Sequence, residues 1–216
     1  HGHAFGHEQA NGVELGLRAK VRFNALNSPE NTFNSNGDGT YSFKAGLPLT
    51  GFSFAPNSPS TATWNFEWTI NSDFDGNGVN LDQLTYEIMI DFDPGVGTNF
   101  LIFDPINQAN QDHAIGTNAT GNGDGTSSRP DYAALIAANN VAQNSWNMEF
   151  FDSVAFPFAG GATGIYNFVL TASDETGVLA STEMQVIVTP ELATLTLFGL
   201  GLLGLGVARR RQKRAA

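Results

Sequence analysis

The chain has no cysteine among its 216 residues, which excludes disulfides, thiol nucleophiles and zinc–thiolate centres. This absence does not argue for the cytosol, because exported bacterial proteins also do without cysteine. Positive charge is scarce as well. Only 10 Lys and Arg stand against 21 Asp and Glu, and five of the ten (Arg209, Arg210, Arg211, Lys213 and Arg214) crowd the last eight positions. Before Pro190 there remain Arg18, Lys20, Arg22, Lys44 and Arg129 against 20 acids, a charge near −15. Nucleic acid is therefore excluded as a partner, since nothing could neutralise a run of phosphates. An acidic surface is instead compatible with solubility, cations or polar glycans. No period of 20 to 50 residues repeats, so a solenoid is excluded. The chain opens on His1 with no basic-then-apolar leader, so a removed signal peptide or a trimmed start is expected.

What is abundant points to turns and a core. There are 24 glycines, and charged residues make up only 14%, so polarity comes from Asn, Asp, Ser and Thr, the composition of a domain with many turns. The 17 Phe, 4 Tyr and 3 Trp supply enough apolar area to exclude disorder. Apart from its tail the chain has room for one all-β domain of about 185 residues.

Alternation identifies the strands. In "VELGLRAKVRF" Val13, Leu15, Leu17, Ala19, Val21 and Phe23 share one face, with Glu14, Arg18, Lys20 and Arg22 opposite, the pattern of a half-buried strand. "ATWNFEWTI" turns Trp64, Phe66, Trp68 and Ile70 inward, and "LTYEIMIDF" does so with Leu84, Tyr86, Ile88, Ile90 and Phe92. "TYSFKA" near Tyr41, "NFLIF" at 99–103 and "SWNMEFF" at 145–151 are further strands, the last with Trp146, Met148 and Phe150 on one face. One short helix is expected from Pro130 through "DYAALIAANN", with Ser128 as a cap. "GIYNFVLTASDETGVLASTEMQVIV" reads as a hairpin about Asp174-Glu175-Thr176-Gly177. About eight strands spaced by turns predict an all-β fold, a two-sheet antiparallel β-sandwich over residues 13–189, after a His-containing segment at 1–12. The hairpin at 164–188 resembles the closing strands of bacterial immunoglobulin-like domains, a likeness at the level of fold alone.

Residues 192–208 then carry no charge, and five cations follow in six positions. As a helix this run rises about 26 Å, close to the hydrocarbon thickness of a bilayer. A buried core helix is the alternative. The cationic flank at 209–216 favours a transmembrane helix halted with its basic end in the cytoplasm and residues 1–190 outside. Gly199, Gly201, Gly204 and Gly206 weaken a helix in water more than in lipid. Thr189-Pro190-Glu191-Leu192, the apolar run and the cluster Arg209, Arg210, Arg211 together resemble the PEP-CTERM sorting signal of exopolysaccharide-producing Gram-negative bacteria. Leu192 stands where that motif usually has its second proline. The resemblance covers residues 189–216 and implies export through the inner membrane, recognition by an exosortase, removal of the tail and delivery to the cell surface or extracellular matrix. A structural or adhesive role in a biofilm, with exopolysaccharide or like subunits as partners, is the corresponding expectation.

Candidate chemistry is sparse. Asp73-x-Asp75-x-Asn77-Gly78, with Asp82 beyond, has oxygen ligands at alternate positions as in a structural calcium loop; an Asx-rich turn explains the same residues. In "HGHAFGH" the terminal amine, backbone amides and His3 could chelate copper or nickel, with His1 and His7 adding nitrogens; short histidine tracts also occur with no specific role. Trp64 and Trp68, four apart on one face, are either a glycan-stacking platform or core. Asp112-His113 lacks a nucleophile elbow, and Asp91 and Asp93 read as a turn before Pro94-Gly95 rather than a glycosidase pair. No catalytic set is expected.

Overall fold

Asn11 and Gly12 start the fold. Both have positive φ, 51° and 80°, the pair of left-handed residues that a two-residue hairpin requires. They join β1 (His7–Ala10) to β2 (Val13–Val21). The computed structural model describes residues 7–22, 30–46, 59–107, 112–121, 123–127 and 129–190. The first sheet therefore begins inside the amino-terminal segment, ahead of the expected boundary at residue 13.

The remaining elements are β3 (Thr40–Lys44), β4 (Trp64–Asn71), β5 (Thr85–Asp91), β6 (Phe100–Phe103), β7 (Ala114–Gly116), α1 (Tyr132–Ala138), β8 (Val141–Trp146), β9 (Gly164–Asp174) and β10 (Gly177–Thr189). They form two five-stranded sheets, ordered β1-β2-β4-β8-β7 and β3-β10-β9-β5-β6. The molecule is thus mostly β with one helix, as expected. One pairing departs from the antiparallel expectation: β3 runs parallel to β10, with Thr40 opposite Gln185 and Lys44 opposite Thr189. A hairpin cannot make such a pair, and here the paired residues are 145 positions apart in sequence.

Alternation decides which faces meet. Leu15, Leu17 and Ala19 of β2 and Trp64, Phe66 and Ile70 of β4 are buried, as are Tyr166, Phe168, Leu170 and Val186 across from them. Phe66 lies 4.9 Å from Phe168 between ring centroids, and Trp64 lies 5.8 Å from Tyr166. This aromatic seam couples the two sheets, and truncating any one of its rings would cost about 3–5 kcal/mol. At one end α1 is tied down by Tyr132, whose hydroxyl donates to Ile106 O at 2.7 Å.

The expected strand at 145–151 is corrected. Trp146 ends β8, and Met148–Phe151 coil into a 3-10 turn in which Phe150 is 55% exposed. The cause is Asn147, whose side-chain oxygen accepts Glu149 N–H and Ala62 N–H, an alternative to the ladder that Asn offers the backbone. Among the described residues no helix is long and apolar enough to cross a membrane. The expected membrane helix at 192–208 and the basic tail at 209–216 lie outside the described residues, as does Ser128.

Candidate functional site

The polar faces of β2, β4 and β8 line up into a groove of about 1040 Å3 on the outside of the first sheet. Register brings their side chains together: Arg18 stands opposite Glu67, Gly16 opposite Thr69, and Thr69 and Glu67 in turn face Gln143 and Ser145. Three of the five basic residues before Pro190 sit within five positions, Arg18, Lys20 and Arg22, yet the field they create is contained. Glu67, only 9% exposed, accepts from Arg18 Nε at 2.5 Å and pairs with Lys20 Nζ at 2.5 Å. The Arg18 guanidinium also lies 4.6 Å from the centre of the Phe33 ring, within cation–π range. Further along, His7 Nε2 meets Glu14 Oε1 at 2.7 Å, and Gln9 donates to the same oxygen at 3.3 Å. Each of these sheltered glutamates has polar partners inside the groove.

The predicted site residues divide between described and undescribed parts of the chain. His1 and His3 lie outside the described residues, as do Glu191, Arg209, Arg210 and Arg211. Pro190 is exposed just beyond β10. His7 belongs to the edge strand β1 and to the pair with Glu14. In the expected calcium loop, Asp73 Oδ1 accepts Asn77 N–H at 2.5 Å and Oδ2 accepts Gly78 N–H at 2.9 Å. That carboxylate closes an Asx-type turn. Asp82 stands in the 3-10 turn Leu81–Gln83 that follows. Among the described residues no group of three or more His, Asp or Glu is assembled to hold a metal ion. The glycan platform is corrected: Trp64 and Trp68 are 1% and 2% exposed, because their side of β4 is the side that packs on the second sheet.

The residues considered for catalysis are structural as well. Asp91 is fully buried; Oδ1 accepts Asp93 N–H at 3.0 Å and Asn99 N–H at 2.9 Å, and Oδ2 accepts from Asn167 at 2.9 Å. Asp93 accepts Gly95 N–H at 2.8 Å. His113 is fully buried against Trp68, with ring centroids 4.9 Å apart. Its Nε2–H donates to Pro105 O at 2.6 Å, and Nδ1 accepts from Asn144 at 2.9 Å. Burial pushes its pKa down, opposed by the Pro105 carbonyl and by Asp112, so the ring is a neutral, doubly bonded core group. Burial, reinforced by Asp91 and Asp93, pushes the Tyr166 phenol up to about 12.

Two polar centres escaped the reading of the sequence. Asn147 is fully buried and donates to Ala62 O at 3.0 Å and Trp64 O at 2.8 Å. Arg22 pairs with Glu149, and Thr61 donates to the same carboxylate. Arg22 belongs to the alternating stretch that ends β2, but nothing local marks Glu149 as its partner 127 residues away.

No family model matches the chain, and no curated protein matches it. Among solved structures, the PmoD soluble domain from Methylocystis sp. ATCC 49242 (Rockwell) aligns at 12% identity over 85% of this chain and 97% of that one, with a TM-score of 0.30. An overlap that loose does not bear on the groove.

Proposed function

We propose that this chain is an exported protein sorted by an exosortase to the cell surface or extracellular matrix of an exopolysaccharide-producing Gram-negative bacterium, where its role is structural or adhesive rather than enzymatic. The observation that carries this reading is the tripartite end of the sequence: Pro190-Glu191, an uncharged run at 192–208, and the cluster led by Arg209, Arg210 and Arg211. In this reading the run spans the inner membrane in transit, and the cations hold its end in the cytoplasm. The neutral buried His113 and the turn-forming Asp91 and Asp93 favour a non-catalytic role, since neither constellation presents a base to a substrate. The β9–β10 hairpin favours an immunoglobulin-like version of the sandwich. Every strand among the described residues lies before Pro190, which fits a folded unit that outlives removal of its tail.

Fractionation of cells carrying the full chain and a chain lacking 191–216 tests the proposal. The full chain is expected in the inner membrane and, shortened, at the surface or in the medium, while the truncated chain skips the membrane stage. Equal secretion of both chains at unaltered length would refute it.

A further inference from the structure

We propose that the groove on the first sheet binds an uncharged, hydroxyl-rich polysaccharide, laid along β2 and β4 between Phe33 and Phe74. This goes beyond the export reading and is tested on the purified chain, so either can fail while the other stands.

Four features of the face choose this occupant. Its shape comes first: Arg18 and Lys20 side chains are only 18% and 16% exposed although they point away from the core, so the face is recessed. Free hydrogen-bonding capacity comes second. Thr69 and Gln143, opposite each other and half-buried in the groove, have no side-chain hydrogen bond among the described residues, and Ser145 accepts from Asn65 at 3.2 Å while keeping its own O–H to donate. Hydroxyl and amide groups that both donate and accept match the vicinal hydroxyls of a sugar, which do the same. A half-covered polar group without a partner gains more from such a ligand than a fully solvated one does.

Charge is the third feature, and it excludes polyanions. The carboxylate or phosphate of an acidic polymer would have to displace Glu67 from Arg18 and Lys20, and would approach a chain of net charge −11. A neutral chain meets neither obstacle, and the spare N–H groups of Arg18 can still donate to its oxygens. Fourth, aromatic rings stand at both ends of the groove. Phe74, 43% exposed, is fixed at the start of β2 by its N–H to Gly12 O at 2.7 Å, and Phe33 lies over Arg18 in the second half of that strand. Six residues of strand separate Gly12 from Arg18, about 20 Å, room for several sugar rings with a C–H face against the exposed Phe74 phenyl, while Phe33, partly buried against the core with Arg18 over its ring, closes the other end.

The test is affinity electrophoresis of the full chain in nonionic detergent, through native gels containing dextran, hydroxyethylcellulose, galactomannan or alginate, at low and high salt. At least one neutral polymer is expected to retard the wild type equally at both salts. Gln143→Ala with Ser145→Ala removes two hydrogen-bonding groups, and Phe74→Ala removes an exposed ring; each is expected to weaken retention about tenfold. Thr69→Val, which keeps the β-branched shape, serves if the double variant loses its thermal transition, and should weaken retention about fivefold. No retardation by any neutral polymer overturns the proposal. So does retardation by alginate alone that disappears in high salt, the behaviour of a polyanion site, or retention unchanged in all the variants.

Discussion

Arg22 and Glu149 form a nearly enclosed ion pair. Their side chains are 5% and 3% exposed, and Thr61 and Asn147 complete the shell around the carboxylate and its turn. Removing one partner strands the other charge in a poorly solvated place, so Arg22→Met is expected to lower unfolding free energy by about 3 kcal/mol, measured in urea. Arg22→Met combined with Glu149→Leu should recover most of that loss; a double variant no better than the single one would show that packing, not charge, dominates. His113 sets a pH dependence. Its folded pKa is depressed by burial, whereas the unfolded chain takes up a proton near pH 6.5. The unfolded state therefore binds more protons below that pH, and stability falls as acid is added below about 6.5, with no contribution from this group above it. His113→Gln should flatten the slope of unfolding free energy below about pH 6.5; an identical slope would contradict the assignment. Neither behaviour could be read from Asp112-His113 or "SWNMEFF" alone, because neighbours in the sequence did not indicate which carbonyl and which arginine would arrive.

At the scale of elements, turns were legible wherever their chemistry is local. Asp38 and Asp174 each accept the N–H and the hydroxyl of the Thr two residues on, and the threonine hydroxyl is the leading reason both carboxylates are held below their ordinary range. The Asn11-Gly12 turn is equally local, although the strand before it, β1, fell in the segment expected to precede the sandwich. Strand faces were legible too, since Leu15, Trp64, Ile88 and Phe168 needed only period two. The end of β8 was not, because Asn147 bonds to strands brought up from residues 62–65. One element boundary rests on a close approach. Gly164 opens β9 at φ 153°, and a Cβ placed there would come within 1.9 Å of Pro94 O. Gly164→Ala is accordingly expected to cost about 2 kcal/mol or more, seen as a lowered urea midpoint with an unchanged slope. A wild-type midpoint would mean the β5–β9 corner shifts freely.

At the scale of the molecule, the described sheets and the residues after Pro190 can be tested apart. All ten strands of the described residues precede Pro190, so deleting 191–216 is expected to leave the thermal midpoint of the sandwich where it is. A fall of several degrees would mean that the closing segment packs against the sheets, and the membrane reading of residues 192–208 would fail with it. Composition, the period of alternation and the uncharged run with its basic end are properties of neighbours along the chain, and they sufficed for an all-β fold, its inward faces and a hypothesis of export. The groove is of another kind. "ELGLRAK" shows a polar face on one strand, but the pairing of Arg18 with Glu67, the alignment of Thr69 with Gln143 and the removal of Trp68 to the interior depend on which strands lie side by side. In the groove strand order joins Arg18 to Glu67, 49 positions on, and Thr69 to Gln143, 74 positions on, and that choice is made by burying both sheets' apolar faces against each other, a cooperative outcome that no local window contains.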